Sequence, residues 1–181
     1  LEEVARLSEV ASRTDDAVVI TDATGRVEWV NAAFERLTGY ALAEMVGRTP
    51  GSVLQGPETD PETRAQLRAA VRQGESTSVE ILNYHRDGTP YWLALTISPV
   101  HDAAGTLRRF VAVERDITAR RAAERERVEL STAVAISPDG ISLAAPDGLI
   151  TYMNAAHAAI YGYAVDDLLG RTWQAFYTVE E

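Results

Sequence analysis

Cysteine is missing from all 181 residues of the sequence. Its absence excludes disulfides, thiolate metal ligands, cysteine nucleophiles and thiol redox switches, and it fits a reducing compartment. Long apolar segments are missing too: no run approaches the roughly 20 residues that cross a bilayer, and no signal peptide opens the sequence. We therefore expect a soluble, cytoplasmic protein with no membrane contact in this segment, and the sequence leaves open an anchor outside it.

Positive charge is also in short supply. The chain has 17 Lys and Arg residues against 27 Asp and Glu residues, for a net charge of −10. Because binding to a phosphate backbone needs a clustered positive field, we do not expect a nucleic-acid partner. Arginines do cluster at 120–127, but glutamates are interleaved with them, which is typical of a solvated helix face.

Motifs of catalysis and metal binding are absent as well. The sequence contains no phosphate-binding glycine loop, no nucleophile elbow and no HExxH pair, and its histidines are not spaced to share a metal ion. The adjacent acids Asp15-Asp16 and Asp166-Asp167 lie at predicted element boundaries, where a role as caps explains them. We predict no catalytic residue in this segment, so an enzymatic activity would need a catalytic domain beyond it.

An internal repeat is the first positive feature. Residues 31–49 read NAAFERLTGYALAEMVGRT and residues 154–172 read NAAHAAIYGYAVDDLLGRT, at a constant offset of 123. The matched positions include turn and cap residues, so the repeat preserves chain geometry, and its period is the size of a domain. The sequence given reaches only the opening part of the second copy, where we expect two strands and short helices.

The first copy begins with short, well-punctuated elements. The pattern predicts strands at 18–21 and 27–30, joined by a turn that ends at Gly25. Asn31 is a typical N-cap for the helix that follows, and Gly39 stands where a left-handed residue ends it. A longer helix is predicted to begin at Asp60-Pro61, with Asp as N-cap and Pro in the first turn, and to end at Gly74.

Three strands are predicted after that helix, near 79–83, 91–97 and 107–115. Asp87-Gly88 is a strong hairpin sequence between the first two, and Gly105 marks the turn before the third. The order of elements predicts an α+β domain in which one five-stranded antiparallel sheet has short helices on one face.

This order, together with GRVEWVNAAFERLTGY at the start and YHRDGTPYW and ERDIT near the end, resembles the PAS family of sensor domains over 17–118 and, in part, 140–176. Asp116-Ile117-Thr118 is similar to the sequence at which PAS domains join their signalling helix. The resemblance implies four segments. They are an N-terminal helix at 1–13, a PAS domain at 14–118, a helical linker at 119–131, and the N-terminal part of a second PAS domain at 132–181.

Within the family, LQGPETDPETRAQLR and LNYHRDGTPYW are similar to the LOV branch, whose members bind a flavin and respond to blue light. The resemblance implies that Gln55, Arg68 and Asn83 contact a flavin, either FMN or FAD. The reactive cysteine of the branch falls at about Gly51, so its thiol photochemistry is excluded. The resemblance also places Leu93 and Glu114 at flavin-contacting positions, with residue types that differ from the branch. Haem is disfavoured, because the long helix from which such PAS domains take their iron ligand has no histidine here.

The predicted cofactor site has seven members: Gln55, Arg68, Asn83, Leu93, Leu95, Phe110 and Glu114. Each polar member also has an ordinary interpretation. Gln55 is adjacent to a loop whose backbone it could bond, and Arg68 fits a solvated helix position. Asn83 alternates with apolar residues on a buried face, where an amide needs partners. Glu114 is in phase with Phe110, where an acid must find a donor, raise its pKa or reach water; the alternative is that the strand ends at Val113.

Two functions remain open from the sequence. The first is a ligand- or flavin-responsive PAS sensor in a multidomain two-component protein, relaying its signal through the linker to a downstream domain, with a histidine kinase as the expected output. The alternative is a cofactor-free PAS pair that serves as a dimerisation scaffold and relay. A homodimer is expected in either case, because Leu1, Val4 and Leu7 form a narrow apolar stripe on the predicted N-terminal helix.

Overall fold

The structure, a computed structural model, describes residues 15–176. The predicted helix at 1–13 and its apolar stripe lie outside the described residues. The chain separates into two compact units, Leu1–Arg121 and Ala122–Glu181, and each is described by itself.

The first unit is built on one antiparallel sheet. Its five strands are β1 (Ala17–Asp22), β2 (Val27–Val30), β3 (Thr77–Tyr84), β4 (Pro90–His101) and β5 (Leu107–Asp116), in the spatial order β2-β1-β5-β4-β3. The last strand therefore lies in the middle, paired with β1 on one side and β4 on the other. This arrangement confirms the predicted α+β fold with a five-stranded antiparallel sheet.

Four helices connect β2 to β3. They are α1 (Ala32–Thr38), α2 (Leu42–Met45), α3 (Pro50–Leu54) and α4 (Pro61–Gln73). The predicted caps are confirmed: Asp60 accepts a hydrogen bond from the backbone N–H of Thr63, and Gly39 and Gly74 end α1 and α4 with φ of 79° and 68°. A left-handed backbone of this kind strains any residue with a Cβ, which is why glycine ends both helices.

The hydrophobic core lies between these helices and the inner face of the sheet. Helix α1 packs on β1 and α4 packs on β3. The inner face follows the period-two alternation of strands, with Val19, Ile81 and Leu93 buried. Phe34 and Met45 from the helices have no exposed surface. The helices thereby cover one face of the sheet.

Asn31 ties the start of α1 to the sheet. Its Oδ1 accepts from the backbone N–H of Phe34 at 2.9 Å and from that of Val18 at 3.0 Å, and its Nδ2 donates to the carbonyl of Asp16 at 3.0 Å. The side chain is 2% exposed, so these bonds replace water. One amide thus acts as a helix cap and as a link between two elements.

The second unit repeats this opening. It contains β6 (Ser142–Ala144), β7 (Ile150–Met153), α6 (Ala155–Tyr161), α7 (Val165–Leu168) and a 3₁₀ turn at Trp173–Phe176. Asn154 caps α6 by accepting from His157 and also accepts from Ile141, as Asn31 does in the first unit. The predicted pair of strands with short helices is confirmed for this part of the chain.

Helix α5 (Thr118–Ile136) covers the predicted linker at 119–131 and continues past its end. It has no buried residue, and its surface carries the ion pairs Arg125–Glu129 and Arg127–Glu124. Glutamates of the same helix therefore balance part of the arginine cluster. Among residues 15–176, no helix is both long enough and apolar enough to cross a membrane.

Replacement of Asn31 by Ala should lower the free energy of unfolding by about 2 kcal/mol, because two backbone N–H groups lose their acceptor. Asn31→Ser keeps a hydroxyl acceptor for Phe34 but cannot also reach Val18, so its loss should be about 1 kcal/mol. Urea unfolding followed by circular dichroism checks the order. Equal losses for the two variants would show that the link to β1 contributes nothing.

Candidate functional site

A cavity of about 520 Å³ lies between the inner face of β3, β4 and β5 on one side and α3, α4 and the turn between β1 and β2 on the other. Pockets that hold small molecules usually measure about 300–1,000 Å³, so the volume suits a ligand of cofactor size. The wall combines apolar residues of the sheet with polar residues at two separate places, which are described in turn below.

Six of the seven predicted site residues line this cavity: Gln55, Arg68, Asn83, Leu95, Phe110 and Glu114. Leu93 does not. It is completely buried in the hydrophobic core, directly opposite Ile81 in the pairing of β4 with β3. The period-two pattern places Leu93 and Leu95 on the same face of the sheet, but only Leu95 lies where the cavity opens.

The inner end of the cavity carries two buried polar groups. Asn83 on β3 is 6% exposed and Glu114 on β5 is 3% exposed. Neither Oδ1 of Asn83 nor Oε2 of Glu114 has a hydrogen-bond partner. The alternative that the last strand ends at Val113 is excluded, because β5 continues to Asp116 and Glu114 pairs with Ala17 and Leu95. Buried polar atoms without partners are rare, and here they face a space that a ligand could fill.

Burial favours the uncharged form of Glu114. Burial raises the pKa of its carboxyl group from 4.5 to about 8, because the charged form would lose its hydration without gaining a cation. In the protonated form the carboxyl can donate one hydrogen bond and accept another. The inner end of the cavity therefore offers an amide carbonyl as acceptor and a carboxylic acid as donor.

Tyr91 is a buried polar residue near this end that the sequence did not single out. It lies directly opposite Asn83 in the pairing of β3 with β4 and is 1% exposed. Its hydroxyl has no partner within hydrogen-bond distance, although the neighbouring Asn83 side chain is near enough to act on its pKa in the lowering direction. Burial, with the nearby Glu114 as the next cause, raises the pKa of Tyr91. The ring of His85 stacks on the Tyr91 ring at 4.2 Å between centroids. Tyr91 alternates with Leu93 and Leu95 on the inner face of β4, and the depth of its hydroxyl depends on tertiary packing.

The other end of the cavity is basic. Arg64, Arg68 and Arg72 all lie on α4 and all line the cavity. Of the three, only Arg68 was predicted, from the resemblance to LOV domains. The spacing of four residues could have identified the other two, since positions i, i+4 and i+8 share a helix face.

The position predicted for the LOV cysteine lies in α3. A Cβ added at Gly51 would come within 2.7 Å of the side-chain amide of Gln55. Gln55 therefore packs directly against the Gly51 backbone. At this part of the wall the cavity is bordered by the Gln55 amide and contains no thiol, because the sequence has no cysteine.

The joint between β5 and α5 is held to the outer face of the sheet, opposite the face that lines the cavity. The N–H of Ile117 donates to the carbonyl of Trp92, and the N–H of Trp92 donates to Oγ1 of Thr118, both at 2.9 Å. The guanidinium of Arg121 lies 3.6 Å from the centre of the Trp92 ring. Both Arg120 and Arg121 form ion pairs with Glu80 on β3.

Metal ligands are not clustered in the part of the chain that the structure describes: no three His, Cys, Asp or Glu residues there are placed to hold an ion. The polar groups of the cavity are an amide, a carboxylic acid and guanidiniums. These groups recognise an organic ligand with a polar edge and an anionic tail more readily than a cation.

Comparison with known proteins identifies the class of this domain. A family model described as a PAS domain matches residues 15–119, and a second one, also described as a PAS domain, matches residues 129–181. The chain belongs to the PAS domain family.

Relatives place the first unit with the light-oxygen-voltage, or LOV, domains. The chain is 44% identical over 105 residues to blue-light-activated histidine kinase 1 of Erythrobacter litoralis, covering 56% of this chain and 29% of that protein. It is 36% identical over 161 residues to a blue-light-activated histidine kinase of Rhizobium johnstonii, covering 84% of this chain and 46% of that protein. The chain thus spans less than half the length of these two curated relatives.

Comparison with solved structures also finds similarity to LOV domains. The LOV domain of a blue-light-activated histidine kinase from Erythrobacter litoralis is 34% identical, with a TM-score of 0.55, over 59% of this chain and 99% of that one. An RNA-binding light-oxygen-voltage receptor is 31% identical, with a TM-score of 0.62, over 71% of this chain and 37% of that one. The first unit is therefore a LOV-like PAS domain, and it lacks the cysteine. The homodimer and the cytoplasmic location stay predictions.

Glu114→Gln should change how stability depends on pH. The folded domain holds the Glu114 proton more tightly than the unfolded chain does, so ionisation lowers the free energy of unfolding as pH rises from 4.5 to about 8. The variant has no proton to lose. Its free energy of unfolding, relative to wild type, should therefore increase by about 4 kcal/mol between the two ends of that range.

Urea unfolding at several pH values measures this difference, in which the contributions of all other groups cancel. Glu58→Gln is the matched control, because Glu58 is exposed on the surface. If the Glu114→Gln and wild-type curves run parallel across the range, Glu114 is ionised in the folded domain and the assignment of its proton is wrong.

Proposed function

We propose that the first unit is a sensor that binds a flavin in its cavity and relays a signal through α5 to an output domain. One observation carries the proposal: Asn83 and Glu114 present buried, unpaired polar atoms at one end of a cavity of cofactor size, while Arg68 lines the same cavity from α4. The relatives named as blue-light-activated and LOV proteins support it.

The residues present fit a flavin. The isoalloxazine ring has a polar edge with both hydrogen-bond donors and acceptors, which the Asn83 carbonyl and the Glu114 carboxylic acid would satisfy. Leu95 and Phe110 provide apolar contacts for the flat ring. The guanidinium of Arg68 would bind a phosphate. Leu93 contributes no amide to this contact, since it lies in the core.

A bound flavin supplies absorption of blue light and the capacity to accept electrons. This chain cannot form a thiol adduct with it, because no cysteine is present. The role left to the protein is control of a proton. Glu114 holds one on a carboxyl group whose pKa is about 8, so a change of charge at the ring would alter the tendency of Glu114 to keep that proton.

The same residue lies close to the output helix. Glu114 precedes Asp116 on β5, and Asp116 pairs with Leu93 just before the chain turns into α5. The start of α5 is held through Trp92 and Glu80, as described above. We propose that a change in the hydrogen bonds of Glu114 shifts β5 against β4 and thereby alters this attachment.

For the output we propose a histidine kinase in a two-component pathway, with the sensor acting as a homodimer. The names of the relatives from Erythrobacter and Rhizobium support this output. Blue light should change the rate of autophosphorylation of the full-length protein, measured with labelled ATP in light and darkness. Equal rates in a flavin-loaded preparation would contradict a light-regulated kinase.

Flavin binding is tested directly by incubating the purified protein with riboflavin, FMN or FAD, desalting, and measuring retained absorbance. We expect retention by the wild type and a loss of affinity of about tenfold in Asn83→Leu, which removes a buried acceptor. Ser78→Ala is the matched control, because Ser78 lies on the same strand and bonds Thr96 on the exposed side of the sheet.

The alternative of a cofactor-free relay makes the opposite prediction. If no flavin is retained, and if Asn83→Leu stabilises the domain by replacing an unpaired amide with an apolar side chain, then the cavity is a loosely packed core and the sensor proposal fails. Retention of flavin together with an unaltered Asn83→Leu affinity would keep the sensor but remove Asn83 from its binding site.

A further inference from the structure

Three arginines of α4 form a row along the cavity. Arg64, Arg68 and Arg72 are spaced by four residues, so they lie on one face of the helix, with Cα atoms separated by about 6 Å at each step and about 12 Å in all. All three line the cavity. We refer to them as the arginine row.

Nothing in the described residues neutralises the arginine row. None of its members takes part in an ion pair, although eight other arginines of residues 15–176 do. This is unexpected in a chain whose acidic residues outnumber its basic ones by 27 to 17. Guanidiniums left without carboxylates are available to an anionic ligand.

Arg64 adds a second, independent observation. Its Nε has no exposed surface and no hydrogen-bond partner. A buried N–H of a charged group that lacks an acceptor is costly, and an acceptor in the cavity would remove that cost. The innermost member of the row therefore points to an oxygen-rich group that belongs to a ligand.

Among the described residues, carboxylates that could repel a bound anion are either absent from the cavity wall or already hydrogen-bonded to other groups. In the part of the chain that the structure describes, Glu114 is the only acid that lines the cavity, and burial raises its pKa to about 8. Asp22, in the neighbouring turn, accepts from the N–H and hydroxyl of Thr24 and from the N–H of Arg26. No ionised carboxylate of the described residues therefore lines the cavity beside the arginine row.

The length of the row distinguishes one phosphate from two. A single phosphate is satisfied by one or two guanidiniums, each of which can donate two parallel hydrogen bonds. A third guanidinium two helical turns from the first is placed to meet a second phosphate. Arg68 and Arg72 are also exposed, so this end of the cavity opens to solvent and leaves room for a group beyond the phosphates.

We propose that the arginine row binds a diphosphate, and that the ligand is a flavin dinucleotide whose adenosine extends out of the cavity beyond Arg72. The inference rests on the proposed flavin-binding function and specifies its ligand. Arg64 and Arg68 bind the phosphate nearer the ring, and Arg72 binds the outer one.

Equilibrium dialysis with riboflavin, FMN and FAD, read by absorbance, tests the proposal in wild type, Arg72→Gln and Arg36→Gln. Arg36→Gln is a closely matched control, since Arg36 and Arg72 are both exposed and both lie in the last turn of their helices. Because the row is partly solvated, we expect FAD to bind about fivefold tighter than FMN. Arg72→Gln should abolish that advantage without changing the affinity for FMN, and Arg36→Gln should leave it intact.

Other outcomes separate the two proposals. Retention of riboflavin, FMN and FAD with equal affinity would overturn the diphosphate site and leave flavin binding in place. An equal loss of affinity for FMN and for FAD in Arg72→Gln would also overturn it. Arg72 would then attract any anionic ligand without contacting the outer phosphate. Failure of all three flavins to bind would refute the proposed function and the flavin dinucleotide with it.

A further arm distinguishes the source of the diphosphate. ADP carries the same diphosphate without the flavin ring, and it is added to the flavin-free protein in a thermal unfolding assay. Weak stabilisation by ADP that Arg72→Gln removes supports the site. Stabilisation by ADP in a protein that retains no flavin would overturn the dinucleotide and identify a free nucleotide as the ligand.

Discussion

The burial of one carboxyl group determines the character of the cavity. Strand β5 lies between β1 and β4, where Glu114 pairs with Ala17 and Leu95, and Glu114 lines the cavity and is only 3% exposed. Its proton is retained because no cation compensates the charge. The inner end of the cavity is therefore neutral and the end on α4 is positive. A ligand with an uncharged ring and an anionic tail matches this polarity in only one orientation.

Features decided by neighbouring residues were predictable from the sequence. The caps at Asn31 and Asp60 depend on bonds to the next turn of chain, and strand alternation predicted that Asn83 faces inward. The cavity itself was not predictable in detail. Leu93 and Leu95 are identical in type and share a face, but only one of them borders the space, because the position of the helices over the sheet decides which residues they cover.

The repeat separates the part of the fold that occurs in both units from the part that forms the cavity. Asn31 and Asn154 make equivalent bonds in the two units, so the opening strands and capped helix are specified locally and form twice. The cavity depends instead on β3, β4 and β5, which bring Asn83, Leu95 and Glu114 together from distant parts of the sequence. Within the described residues these strands occur only in the first unit. The opening half contributes α3 and the turn between β1 and β2 to the cavity wall, whereas the buried polar groups Asn83 and Glu114 lie on the later strands.

The contact between Trp92 and Arg121 has a practical consequence. Excitation of an indole moves electron density across its ring. The emission wavelength of Trp92 therefore responds to the charge of Arg121, which lies 3.6 Å from the ring centre. The junction between sheet and helix therefore contains its own fluorescent reporter. Release of the helix from the sheet would withdraw the charge and shift the emission of Trp92. Trp29 and Trp173 are the only other tryptophans that contribute background, so the movement can be followed without attaching a dye.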